Sequence, residues 1–120
     1  MFHLKKFVKS ISFAGRGLRS VFREQNFRIQ ILFSIIVIFF IIIFQLKLWE
    51  TIVLLMMIVL VLVLEIINSI FERIVDILEP RVHPYAKNIK DMMAAAVLVA
   101  SLGALIVGCL IFWPYFRGLV

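Results

Sequence analysis

Glu65, Asn68, Glu72 and Asp76 recur at intervals of three and four within LEIINSIFERIVDIL, the stretch from Leu64 to Leu78. An α-helix turns about 100° per residue, so with Glu65 at zero they fall at about −60°, −20° and +20°, and Ser69 at about +40°. All five share one face over about three turns. The positions between them are mainly Ile, Phe and Val. Such a face suits oxygen chemistry. Mg²⁺ is commonly held by one or two carboxylates together with substrate phosphates. A partly desolvated carboxylate can act as a general base, and Asn can orient a neighbour without adding charge. Together these groups suit phosphoryl transfer to an apolar alcohol. A plainer arrangement is a salt-bridged helix end, with Arg73, Arg81, Lys87 and Lys90 as partners. That explains Glu72 and Asp76. It explains Glu65 poorly, because Glu65 interrupts an apolar run with no base close in sequence.

The following link, EPRVHPYAKNIKD, is expected to break the helix at Pro80 and Pro84. Lys90 can neutralise a nucleotide phosphate. Asp91 stands where a helix start is expected, a capping role worth about 1 kcal/mol. His83 can contact a nucleotide or serve as an ordinary loop histidine. Ala94, Ala95, Ala96, Ser101, Gly103 and Gly108 give the next segment small faces that allow close helix approach. No GxxxxGK[ST] loop occurs, and the GRG at Gly15 to Gly17 follows no strand. Nucleotide binding must therefore use another architecture.

The elements that position these groups belong in a membrane. The 120 residues are 64% apolar and 17% charged, against roughly 45–50% and 25% in soluble chains. So short a chain cannot hide that much apolar surface from water. Three stretches are long enough to cross a bilayer: Ile29 to Leu46, Ile52 to Leu64 extended at both ends, and Met92 to Tyr115. The first lacks a small-residue cleavage site and is followed by two more, so it reads as a span and not as a signal peptide. An all-α membrane protein is expected, one domain over 1–120, with membrane helices at 28–46, 49–78 and 91–115. An acid at the centre of a span costs about 2.5–3.5 kcal/mol. A cation, basic partners or a retained proton must offset that cost at Glu65.

The net charge is +6, unevenly placed. Lys5, Lys6, Lys9, Arg16, Arg19, Arg23 and Arg28 precede Ile29, opposed only by Glu24. Nucleic acid or an anionic membrane would suit such a segment. Beside a span the membrane is the expected partner, with no nucleic acid. Leu4, Phe7, Val8 and Ile11 follow helical spacing, so residues 1–27 are expected to form an amphipathic surface helix. Gly15 and Gly17 are expected to bend it, with a second short helix from Leu18. The flanks after Arg73 are also basic, whereas Lys47 and Arg117 stand alone in theirs. The positive-inside rule then places the N-terminus and the acidic stripe in the cytoplasm and the C-terminus outside an inner, cytoplasmic membrane. Trp49, Trp113 and Tyr115 would anchor the outer interface. Cys109, the single cysteine, excludes an intrachain disulfide and reads as an inert buried thiol.

The chain resembles the small prokaryotic diacylglycerol kinase and undecaprenol kinase family. GLR at Gly17 to Arg19, EQNFR at Glu24 to Arg28, EIINSIFERIVD at Glu65 to Asp76 and HPYAKNIKDMMAAAVL at His83 to Leu98 carry the resemblance. It implies a homotrimer with active sites shared between subunits, transferring the γ-phosphoryl group of ATP to a lipid hydroxyl with Mg²⁺. By that resemblance Glu65 is the general base, with Asn68 beside it, and Glu65 and Ser69 meet the lipid. Glu24 and Glu72 hold the metal. Lys6, Phe13, Gly17, Asp76, His83, Lys90 and Asp91 line the nucleotide site. Lys6 stands where the family often has Arg, and Phe13 where some members have Tyr. The HPYAKNIKD stretch looks more like the undecaprenol kinase branch, with diacylglycerol as the alternative acceptor. A small transporter coupling an ion to Glu65 would also explain a buried acid. It would have no need of Lys90 or of the remaining carboxylates.

Overall fold

The computed structural model describes residues 3–78 and 83–119, with His83 described in its backbone only. Four helices follow in order: α1 Leu4–Val21, α2 Gln25–Phe44, α3 Leu48–Leu78 and α4 His83–Arg117. The last three are long and apolar enough to cross a membrane. The protein is an all-α membrane protein with three such spans. Side chains such as Ile42, Val99 and Leu110 are about 70% exposed on the single chain, so lipid or another chain must cover them.

Short links make neighbouring spans antiparallel. Between α2 and α3, Gln45 takes a left-handed conformation with φ 51°. Its amide donates to the Ile42 carbonyl and that of Leu46 to the Ile41 carbonyl, both at 3.3 Å. Leu46 packs on the cluster that contains Ile41. This is the Schellman closure, which satisfies the last carbonyls of α2. The start of α3 is closed by Glu50, whose carboxylate accepts the Lys47 amide proton at 3.0 Å. A Glu three residues past the cap is half of a capping box.

α3 packs more extensively on α4 than on α2. Ile41, Leu54, Ile111 and Phe112 form the buried cluster at the Gln45 end of the bundle. The Phe44 ring lies 5.0 Å from that of Phe116 and Phe40 5.5 Å from Phe116, both edge to face. At the other end Phe27, Val75 and Val21 are buried.

Five expectations need correcting. α1 runs unbroken through Gly15 and Gly17. Each glycine costs about 1 kcal/mol against alanine, which lowers helix stability without forcing a bend. Pro84 does not break a helix, because it occupies the first turn of α4, where its missing N–H has no partner to lose. α4 therefore starts eight residues before the expected position, and Asp91 lies inside it instead of capping it. α2 likewise begins at Gln25, ahead of the expected residue 28. Pro80 and Arg81, an expected helix break and an expected flanking cation, lie outside the described residues.

Candidate active site

At 1.5 Å per residue the 31 residues of α3 extend about 46 Å, well beyond a hydrocarbon layer of about 30 Å. Measured from Trp49, Glu65 lies about 24 Å along the axis and Glu72 about 35 Å. With Trp49 at one edge of such a layer, the stripe would begin inside it and run past the other edge. Burial follows that position. Glu65 is 2% exposed, Asn68 5% and Ser69 1%, while the Asp76 side chain is 60% exposed.

The face is closed by residues from other elements. Glu24 caps α2 with extended backbone angles, yet its side chain makes no capping hydrogen bond. It reaches across to α3, where its carboxylate accepts a hydrogen bond from the Ser69 hydroxyl. That hydroxyl also lies 3.0 Å from the Glu65 carbonyl oxygen. The Asn68 amide donates to Glu72 at 3.3 Å, and Asn68 Oδ1 is buried with no hydrogen-bond partner among the described residues. Glu24 and Glu72 lie near enough to Glu65 to act on it as like charges, and the Gln30 side chain of α2 supports its carboxylate. Gln30 was missed by sequence reasoning. A polar residue one turn into a span, preceding Ser34 at i+4, was the available signal.

Towards the exposed end, the Lys90 ammonium meets Asp76 at 2.5 Å. The two residues expected to serve a nucleotide are thus brought together from α3 and α4. Asp91 is exposed beside them. Lys6, Phe13 and Gly17 lie along α1, with no partner from α3 among their described contacts. The Lys6 carbonyl accepts from Ser10 at 3.0 Å, the Arg16 guanidinium sits 4.9 Å from the Phe13 ring centre, and space is open around Gly17. The side chain of His83 lies outside the described residues.

A groove of about 580 Å³ opens between α2, α3 and α4. Gln30 and Ser34 line one end, Phe112 and Trp113 the other, and the surface between is almost wholly apolar. Through Gln30, its polar end adjoins Glu65.

The donors on the α3 face are all oxygens, as a hard divalent cation requires. An unpaired buried Asn68 Oδ1 beside the Glu72 carboxylate fits that role. Among the described residues no three His, Cys, Asp or Glu side chains form a ready metal cluster. Phosphate oxygens and water would have to complete the coordination, as is usual for Mg²⁺.

Comparison with known proteins identifies the family. The sequence model of the family described as prokaryotic diacylglycerol kinase matches residues 12–112. The undecaprenol kinase of Bacillus subtilis (strain 168) is 34% identical over 112 residues, covering 92% of this chain and 91% of its own. The diacylglycerol kinase of Escherichia coli (strain K12) is 28% identical over 115 residues, covering 92% of each. That of Synechocystis sp. (strain ATCC 27184 / PCC 6803 / Kazusa) is 36% identical over 108 residues, covering 88% of this chain and 62% of its own.

Proposed function

Since the chain belongs to the prokaryotic diacylglycerol kinase family and is a lipid kinase, we propose that it phosphorylates undecaprenol to undecaprenyl phosphate at the expense of ATP. The observation that carries this reading is the buried Glu65, at the lipid end of a carboxylate face and next to an apolar groove. A long prenyl alcohol would lie along the groove with its hydroxyl at Glu65. The nearly full-length likeness to an undecaprenol kinase supports that acceptor. Relatives named diacylglycerol kinase favour the second reading, in which diacylglycerol becomes phosphatidic acid.

Glu65 takes the proton of the lipid hydroxyl as the oxygen attacks the γ-phosphorus, and ADP departs on the opposite side. Asn68 orients Glu72 through its amide and leaves Oδ1 facing the reacting groups. Glu72 and Glu24 would hold Mg²⁺, which when bound neutralises charge on the transferring phosphoryl group. Lys90, held by Asp76, offers its charge to the nucleotide phosphates. Asp91 and His83 would line the same site, and Ser69 would fix the floor against which the lipid lies. Lys6, Phe13 and Gly17 would complete the nucleotide site from the α1 of a neighbouring subunit in a homotrimer. By the positive-inside rule, the basic flanks support a cytoplasmic N-terminus and site, with the C-terminus outside the inner membrane.

Incubating the purified protein with γ-labelled ATP, Mg²⁺ and each lipid tests the proposal. Labelled undecaprenyl phosphate as the dominant product is expected. Dominant labelled phosphatidic acid would replace the acceptor, and no labelled lipid with either would refute the proposed transfer.

A further inference from the structure

Arg73 follows Glu72 on α3 and projects beside the acidic face, about 80° from Glu65 on the helix and next to Ser69. Its guanidinium donates to the Ser20 hydroxyl at 2.7 Å and to the Ser20 carbonyl at 3.4 Å. It also reaches the Glu24 carboxylate at 3.5 Å. Ser20 belongs to the last turn of α1, and Glu24 begins α2. One side chain thus ties α3 to both sides of the turn that delivers Glu24. From the buried side, Ser69 holds the other oxygen of the same carboxylate. Glu24 is gripped from two directions by residues one helical turn apart on α3.

The geometry points to Arg73 as a positioning residue that fixes Glu24 against the catalytic face. This role rests on the kinase reading, in which Glu24 is a metal ligand. Ion-pair energy is a poor explanation for the arrangement. The Arg73 and Glu24 side chains are 52% and 27% exposed, and the pair is long, so its electrostatic contribution is small. The shorter bonds go to Ser20, an uncharged residue on the turn. A planar fork can hold a hydroxyl and a carbonyl together, which a single ammonium cannot do equally well. The turn also needs an external tie. The amides of Phe22, Arg23 and Glu24 donate to the Leu18, Ser20 and Val21 carbonyls at the adjoining end of α1, and these bonds do not set the angle between α1 and α3. Without Arg73, the Glu24 carboxylate would keep only the Ser69 contact and sample positions away from Glu72.

The test uses full-length protein in detergent with Mn²⁺ as probe and a non-hydrolysable ATP analogue. Bound Mn²⁺ is measured by electron paramagnetic resonance, and turnover is measured separately. Arg73→Ala is expected to weaken Mn²⁺ binding about tenfold, since misplacing a ligand by about 1 Å is costly. Arg73→Lys should weaken it by a smaller step, because charge is kept and the fork is lost. In turnover, half-saturation by Mg²⁺ should rise while the lipid KM stays put. Amides of residues 20–24 should exchange faster with deuterium. If Arg73 acted only as a charge, removing it would tighten cation binding and the lysine variant would match the parent. Either of those results overturns the positioning role. Should Arg73→Ala not assemble, Arg73→Lys and Ser20→Ala decide: unchanged Mn²⁺ binding and exchange in both refutes it. Failure of the kinase reading looks different, since the parent would then phosphorylate no lipid while Mn²⁺ binding and exchange still reported on the turn.

Discussion

Each end of the bundle buries a carboxylate, and the two are treated in opposite ways. Glu50 is 7% exposed and its needs are met. It accepts the Lys47 amide at 3.0 Å and the Tyr115 hydroxyl at 2.5 Å. It closes the start of α3 and ties that helix to α4. Glu65 is still more buried, yet Glu24 and Glu72 act on it as like charges, and the neighbouring buried Asn68 amide oxygen has no partner among the described residues. A buried acid with its donors supplied holds a fold together. One placed among other acids, beside an orphaned acceptor, spends folding free energy on something else. On the proposed reading, the difference separates architecture at Glu50 from a candidate site at Glu65.

Replacing the two acids separates these roles most sharply. If Glu65 is the base, Glu65→Gln keeps shape and burial but removes it, so lipid phosphorylation should fall about a thousandfold. Helix content and oligomeric state should persist. Full activity in this variant would break the contrast, because Glu65 would then be no more chemical than Glu50. Glu72→Gln should have the next largest effect. Turnover should fall about tenfold to a hundredfold, with a higher Mg²⁺ requirement, if Glu72 is one of two carboxylate ligands. Mg²⁺ titration at saturating ATP and lipid measures it.

How far the sequence reveals each end depends on how local the arrangement is. The α3 face could be read because a helix fixes angles between residues three and four apart. The span count followed from apolar length alone. The entry of Glu24 could not be found that way. It depends on the Phe22–Glu24 turn, and only the family resemblance pointed to that residue. Glycine spacing misled at Gly15 and Gly17, because local helix cost was weighed without the apolar stripe that continues through Leu18. Pro84 misled for the related reason that a proline is disruptive inside a helix and harmless in its first turn. Glu50 drew no notice at all. Its three-residue offset from Lys47 is a capping-box spacing, but the Tyr115 partner lies 65 positions away and leaves no local trace.

At the Glu50 end the expected effects lie in stability and not in rate. Glu50→Ala leaves a part-buried tyrosine hydroxyl and a helix-start amide without their acceptor, at a cost of about 1–3 kcal/mol. Tyr115→Phe should lower the thermal midpoint in the same direction by less. Both should retain the parent's turnover below their unfolding range. Thermal unfolding followed by circular dichroism, alongside the lipid assay, checks the pair. A large loss of turnover in folded Tyr115→Phe would mean that the two ends are coupled.

The smallest effects come from α1, which contributes only Val21 to the buried residues described. Gly15→Ala and Gly17→Ala each add a methyl group that meets no atom within 4 Å. By helix propensity alone both should stabilise α1 by about 0.5–1 kcal/mol. On the helix, Gly15 falls on the face of Leu4, Val8 and Ile11, whereas Gly17 falls on the opposite, basic side. A nucleotide approaching α1 closely would therefore meet Gly17 and not Gly15. Gly15→Ala should leave the ATP KM unchanged. If Gly17 does line the nucleotide site, Gly17→Ala should raise the ATP KM while leaving the lipid KM alone. Equal ATP KM values in both variants would remove Gly17 from the nucleotide site, leaving the chemistry with the carboxylate end of α3 and the residues that reach it from α2 and α4.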